Sequence, residues 1–414
     1  MKQTEKQQKQ IILLSVSGPD RPGLTSSLTG ILGQYDVSIL DIGQSDIHQT
    51  LNLAIVFEMG EDAQSAPLLK DILMKSYELG LTIKFTPLSR EEYLEWAINK
   101  NNSRYIITVL GRCLTASQIH EVAKVIASYN LNIRTIYRLT HRPLPDDPSR
   151  RVCLEMNVEG AISDRKKMTS DFLEVSSRVG VDIAFQQDNM YYRNRRLVCF
   201  DMDSTLIQTE VIDELARRAG SGEQVSAITE SAMRGEIDFQ ESFKRRIKTL
   251  AGLPESVLAE VAESLPLTEG AERLLSALKI YGYKTAIISG GFTYFGQYLQ
   301  KKLGIDYVFA NELEIKDGRL TGGYVGPIVD GARKAEYLRL LARMEGLSTE
   351  QVIALGDGAN DLMMLNTAGL GIAFQAKPVV RENARHSISS LGLDGVRYLL
   401  GYRDRHIEDL LARK

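Results

Sequence analysis

Two carboxylates two positions apart, Asp201 and Asp203, follow the apolar run Leu197 Val198 Cys199 Phe200 and lead into Ser204 and Thr205. On an extended backbone alternate side chains share a face, so this pair starts on one side of a strand end, close enough to share a cation. Turns favour Asp and Ser for reasons unrelated to chemistry, so the spacing alone decides nothing. Three later stretches add to it. Tyr283 to Ile288 reads as a second strand opening into Ser289 Gly290 Gly291 Phe292, a turn where a hydroxyl and backbone N–H groups can approach an anion. Val352 to Leu355 reads as a third strand leading to Gly356 Asp357 Gly358 Ala359 Asn360 Asp361, and Lys334 opens a helical run to Glu345. Acidic strand ends, a hydroxyl turn and a lysine together fit a magnesium-assisted phosphate site.

In the order DMDST, SGG, K and GDGAND, these residues resemble the motifs of the haloacid dehalogenase-type phosphohydrolases, over about residues 190 to 414. Within that family the likeness is to the branch that acts on O-phospho-L-serine. The resemblance implies that Asp201 is the nucleophile and Asp203 the general acid and base. It implies that Ser289, the backbone of Gly290 and Lys334 cradle the phosphate with Asn360 beside them. Asp201, Asp357 and the backbone carbonyl of Asp203 would hold Mg2+, with Asp361 as an orienting group behind them. Glu210, nine positions after Asp201, would meet the substrate ammonium and Arg246 its carboxylate, while Met233 and Phe239 supply apolar cap contacts. The implied reaction is Mg-dependent hydrolysis to L-serine and phosphate through an aspartyl phosphate, in serine biosynthesis. The motifs do not separate this from transfer to an alcohol such as homoserine, or from hydrolysis of other phosphomonoesters or phosphoproteins. A catalytically idle amino-acid sensor is a rival of another class, against which the intact set Asp201, Asp203, Ser289, Lys334 and Asp357 weighs.

The elements that must carry these residues sit in a chain of 414 residues, 43% hydrophobic and 25% charged, an ordinary globular composition long enough for two to four domains. A net charge of −3 gives no basic footprint, so neither nucleic acid nor an anionic membrane surface is an expected partner. Cys113, Cys153 and Cys199 lie far apart, two of them in apolar strand patterns, which predicts free thiols and a cytoplasmic setting. No apolar run approaches the roughly 18 residues of a membrane span. The five histidines are scattered, against a zinc site.

Before the catalytic strand, the pattern strand, helix, strand, strand, helix, strand occurs twice, over residues 10–88 and 104–187. The chain is therefore expected to be α/β, a Rossmann-like parallel sheet with a helical cap (residues 194–414, cap at about 209–268), preceded by two ferredoxin-like βαββαβ domains. Both repeats resemble ACT domains, amino-acid-binding modules. The first has the turn Gly18 to Leu24, which the resemblance makes a possible L-serine effector site through Asp20, Arg21 and Gly23; the second reads Gly111 Arg112 Cys113 Leu114 Thr115 and lacks the Pro-Gly pair. A packing or dimerisation role is the expectation for that copy, and a homodimer for the chain. Ser89 to Ser103 is expected to be a charged connector, Gln186 to Arg196 a polar linker, and Leu393 to Lys414 a mostly helical tail. Lys316 Asp317 Gly318 signals a hairpin between two strands. A chain starting near Gln187 is expected to keep the chemistry.

Overall fold

The computed structural model describes residues 9–35, 37–60, 65–98, 103–142 and 151–406, with the side chain of Met233 excepted. It divides into two compact units, residues 1–101 and 102–414.

The first unit runs β1 (Ile11–Pro19), α1 (Leu24–Leu32), β2 (Val37–Ile47), β3 (Thr50–Met59), α2 (Ser65–Glu78), β4 (Thr82–Leu88) and α3 (Arg90–Ile98). Its antiparallel sheet has the order β2-β3-β1-β4. Alternation puts Ile12, Leu14 and Val16 of β1 on one face, where they meet Leu24, Leu28 and Leu32, one per turn of α1. The stretch expected to be a connector is instead largely α3. Ser89 caps it, its Oγ accepting the Glu92 N–H at 3.1 Å while the Glu92 carboxylate accepts the Ser89 N–H at 2.7 Å. The helix buries no residue, so apolar periodicity could not announce it.

The second unit opens with the repeat: β5 (Arg104–Gly111), α4 (Ala116–Ser128), β6 (Asn132–Arg138), β7 (Val152–Glu159), α5 (Arg165–Val179) and β8 (Asp182–Gln187), in the sheet order β6-β7-β5-β8. The duplication read from the sequence is thus present as two sheets of the same topology. Most of the Pro- and Asp-rich segment between β6 and β7 lies outside the described residues.

A seven-stranded sheet follows, ordered β12-β11-β10-β9-β13-β14-β15. Its strands are β9 (Leu197–Phe200), β10 (Lys284–Phe292), β11 (Tyr307–Lys316), β12 (Arg319–Val325), β13 (Val352–Gly356), β14 (Leu370–Phe374) and β15 (His386–Ile388). All pairings are parallel except β11 with β12, a hairpin whose turn places Asp317 and Gly318 at φ 52° and 70°. Along β9, Leu197 and Cys199 face α12 (Gly331–Met344) and α13 (Leu362–Thr367), while Val198 and Phe200 belong to the core on the other side with α10 (Ala271–Ile280) and α11 (Thr293–Leu303). The cap is the helical insertion between β9 and β10: α6 (Val211–Ala219), α7 (Gly222–Met233), α8 (Phe239–Lys248) and α9 (Ser256–Ser264). Because the chain leaves β9 for β10 on one side and returns to β13 on the other, a crevice opens at the C-terminal ends of these strands, under the cap.

The short β15 was not foreseen; the described part of the tail is mostly helical, with a 3-10 turn over Leu393–Gly395 and α15 over Val396–Leu399, and residues beyond 406 are not described. The segment before β9 is docked rather than a free linker. Tyr192 is buried and donates to Glu155 at 2.9 Å, and buried Arg195 donates to the Tyr192 carbonyl at 2.9 Å.

The second repeat is built into this core. One face of its sheet packs on α4 and α5, while Leu110, Cys153 and Ala184 of the other face join the apolar core that contains Leu391, Val396 and Leu399. Polar contacts fix the junction: Asp182 accepts from Ser389 N and Ser390 N, each at 2.8 Å, Gln186 donates to the Leu399 carbonyl at 2.9 Å, and Arg151 pairs with buried Asp394. Among the described residues no helix is long and apolar enough to cross a membrane.

Cutting the chain at Asp188 therefore uncovers the surface under Leu110, Cys153 and Ala184, a loss of at least about 3 kcal/mol at the usual value of a buried aliphatic side chain. A chain starting at Ser103 keeps this junction whole. Thermal unfolding with a dye for exposed apolar surface should give one cooperative transition for the longer chain and a lower, dye-binding one for the shorter. Equal stability of the two would remove the structural role of the second repeat.

Candidate active site

Asp201 stands at the C-terminal end of β9, tied to β13 by its own N–H, which donates to the Leu355 carbonyl at 2.9 Å. Its Oδ1 accepts the Met202 N–H at 2.7 Å and the Lys334 ammonium at 2.9 Å. Lys334 is fully buried and donates also to Asp361 Oδ1 at 2.6 Å. It is the fourth residue of α12 rather than its first, and Asp330 caps that helix by accepting the Arg333 N–H at 3.0 Å. Burial opposes the charge on Lys334, yet Asp201 and Asp361 overcome it and hold the ammonium above its ordinary value.

Asp357 and Asp361 follow β13. Thr205 donates to Asp357 at 3.2 Å, and Asp361 Oδ2 accepts the Gly358 N–H at 2.9 Å. Carboxylate oxygens of Asp201, Asp357 and Asp361 lie within 4.8 Å of one another. Burial and then the charge of Asp201 push Asp357 and Asp361 up to about 7. Carboxylates crowded in this way, with oxygen as their only donor atom, fit a hard divalent cation, which relieves their repulsion.

Asp203 turns toward the cap. Its Oδ1 accepts the Val211 N–H at 3.0 Å, and burial, followed by the charges of Glu210 and Asp201, raises it well above the ordinary carboxylate range. Ser204 takes the left-handed conformation, φ 55°, and donates to Glu210 Oε1 at 2.9 Å. Glu210 caps α6 and is itself raised by burial. Arg246 on α8 faces Glu210 and Asp213; burial depresses it, and its Nε is buried without a hydrogen-bond partner.

Ser289 is fully buried, its Oγ accepting the Gly291 N–H at 3.0 Å. A Cβ added at Gly291 would lie 2.4 Å from Asp203 Oδ2, and one at Gly356 2.4 Å from Asp361 Cγ, so both positions require glycine. Phe239 leans over Gly290, 3.0 Å from where a Cβ there would stand, and stacks on Phe243 with ring centroids 6.4 Å apart.

Asp201, Asp203, Glu210, Phe239, Arg246, Ser289, Gly290, Asp357 and Asn360 line one cavity of about 760 Å³, with Lys334 and Asp361 beneath it. Met233 belongs to α7 near this cavity in sequence, but its side chain lies outside the described residues. A second cavity of about 890 Å³, between α5 and α14 (Pro378–Asn383), lacks this carboxylate and lysine set. Asp20, Arg21 and Gly23 lie in the first unit, exposed, with Gly23 at φ 92° leading into α1. The matching turn of the second repeat serves as a helix cap, Thr115 Oγ1 accepting the Gln118 N–H.

Sequence reasoning missed Thr205, Ser204 and Asn311. The first two sit inside the DMDST motif. Asn311 had no local signal: from β11 it donates to the Gly290 carbonyl at 2.8 Å and accepts the Val329 N–H at 2.8 Å, tying the phosphate turn to the segment before α12.

Family profiles match residues 10–86 and 103–186 as ACT domains and residues 198–366 as a haloacid dehalogenase-like hydrolase. A phosphoserine phosphatase of Mycobacterium tuberculosis is 41% identical over 96% of this chain and 94% of its own. The chain belongs to the phosphoserine phosphatase family. A second member, from Streptomyces coelicolor, is 39% identical over 97% of this chain and 95% of its own. The crystal structure of a probable phosphoserine phosphatase from Vibrio cholerae, unliganded, matches with a TM-score of 0.57 and 36% identity, over 72% of this chain and 86% of that one. Membership makes this chain a phosphoric monoester hydrolase.

The raised carboxylates set a pH dependence. Without a cation, the folded protein keeps protons on Asp357 and Asp361 that the unfolded chain releases near pH 4, so their contribution to stability falls as pH rises from about 4 to about 7. A divalent cation should then raise the melting temperature more near pH 7.5 than near pH 5, read by calorimetry with and without chelator. The same shift at both pH values would argue that the cation binds elsewhere.

Proposed function

We propose that this chain hydrolyses O-phospho-L-serine to L-serine and phosphate with Mg2+ as the cation. The observation that carries the reading is Arg246 and Glu210 in the cavity of Asp201 and Asp203, with the buried Arg246 Nε lacking a partner. A guanidinium suits the substrate carboxylate and Glu210 its ammonium, so the phosphate is directed at Asp201.

Asp201 attacks phosphorus through its carboxylate, and the ester P–O bond breaks to leave an aspartyl phosphate. Asp203, held protonated by burial, gives its proton to the departing serine oxygen. A water then attacks the aspartyl phosphate, losing its proton to Asp203 and releasing phosphate. Ser289, the Gly290 backbone and Lys334 bind the phosphoryl oxygens, with Asn360 beside them. Asp201, Asp357 and the Asp203 carbonyl would hold Mg2+, oriented by Asp361, and the ion supplies neutralisation of phosphoryl charge. Phe239 closes the apolar side.

For the rest of the chain, we take residues 10–88, 104–187 and 194–414 as the three domains. Homodimerisation through the first unit is supported by β2, an edge strand with Ile39, Ile42 and Ile47 45%, 46% and 70% exposed. L-serine as an effector at Asp20, Arg21 and Gly23 rests on the turn alone. Free Cys113, Cys153 and Cys199 support a cytoplasmic location.

Arg246→Ala should cost about 2–4 kcal/mol in kcat/KM on phosphoserine, from the lost charge-assisted pair and the carboxylate left unpaired, and far less on a phosphate ester without a carboxylate. Uniform loss on both substrates would point to a misfolded cap. Asp201→Asn should abolish turnover and lower the melting temperature, because buried Lys334 loses one of its two charged partners, while leaving the far-ultraviolet spectrum close to wild type. Sustained multiple turnover by that variant would refute the nucleophile.

A further inference from the structure

The cavity contains a cation that the reaction just described does not use. Among the described residues its walls present Asp201, Asp203, Glu210, Asp213 and Asp357 against two basic side chains, Arg246 and Lys377. Arg246 faces Glu210 and Asp213, and Lys334 below is shared between Asp201 and Asp361. Lys377 has no ion pair or side-chain hydrogen bond among the described residues. Its backbone is fixed: it caps α14, its carbonyl accepts the Val380 and Arg381 N–H groups at 2.9 and 3.1 Å, and Val380 is buried. The side chain is exposed at the cavity mouth. An exposed ammonium thus lines the same cavity as Ser289 and Gly290, on a backbone tied to α14.

A phosphate monoester approaches as a dianion at neutral pH; with Asp203 protonated and Asp201 and Asp357 committed to the divalent cation, Glu210 and Asp213 are the lining carboxylates that still repel it. Lys334 is fully buried, and Arg246 faces Glu210 and Asp213. We propose that Lys377 is a positioning residue that captures the phosphate group at the mouth, both of the incoming ester and of departing inorganic phosphate, without taking part in the in-line step. This rests on the cavity being a phosphomonoesterase site, but not on which ester it prefers.

The test compares full-length wild type, Lys377→Gln and Lys377→Arg on phosphoserine and on an aryl phosphate, with Mg2+, across low and high ionic strength. Inorganic phosphate serves as inhibitor in each case. Lys377→Gln should lose about tenfold in kcat/KM on both substrates at low salt with kcat nearly unchanged, and the deficit should close as salt screens the field. Inhibition by inorganic phosphate should weaken in parallel, and Lys377→Arg should restore both. Unchanged KM and phosphate inhibition in the Gln variant would overturn the proposal. So would an equal fall of kcat in the Gln and Arg variants, which marks a structural role. If wild type hydrolyses the aryl phosphate but not phosphoserine, the substrate reading fails, and the aryl phosphate and inhibition arms still decide Lys377.

Discussion

The fully buried ammonium of Lys334, held between Asp201 and Asp361, is the contact on which the rest of the site depends. Removing one partner from such a group leaves an uncompensated charge in the interior, which typically costs about 3–5 kcal/mol. The fold therefore has to bring α12 and the ends of β9 and β13 together with little latitude. Asp330 fixes the start of α12, and Gln240 of the cap donates to that same Asp330 at 2.8 Å. Gly356 lets Asp361 lie flat against β13, where any side chain would displace it. Asp201 is thus oriented by a network that spans the sheet, a helix and the cap.

Around that pair the site divides by charge. Toward the sheet, Asp201, Asp357 and Asp361 crowd into a set that a hard cation satisfies. Toward the cap, Asp203 is buried and Glu210 lines the cavity, both raised, with Arg246 opposite them. Two carboxylates two residues apart in sequence thereby receive opposite tasks. Their partners differ: Asp203 accepts the Val211 N–H while Asp201 stays with Lys334. Gly291 packs against Asp203, and Asn311 holds the carbonyl of Gly290.

The second repeat shows how one supersecondary unit can serve two ends. Its β5 is buried along nearly its whole length, because α4 and α5 cover one face and the hydrolase core covers the other. In the first repeat, β1 alternates between buried and half-buried residues. Continuous burial in place of alternation distinguishes a strand covered on both faces from one covered on a single face. The two strands read alike in sequence, Ile11 to Val16 and Tyr105 to Leu110 each being apolar with one Ser or Thr, so only the packed structure separates them.

What the sequence by itself determined was local: the strands that end in Asp201, Ser289 and Asp357, the cap between the first two, the duplicated topology, and the residue types of the site. These follow from alternation, helical period and turn chemistry over a few residues. Tertiary structure alone decided the docking of the second repeat, the helix α3 with no buried face, the short edge strand β15, and the reach of Asn311 from β11 to the phosphate turn. Each depends on groups distant along the chain meeting in space, where a buried polar atom must find a partner and an apolar face must be covered. A pattern of period two or 3.6 states that a face exists, and only the packed molecule states what lies against it.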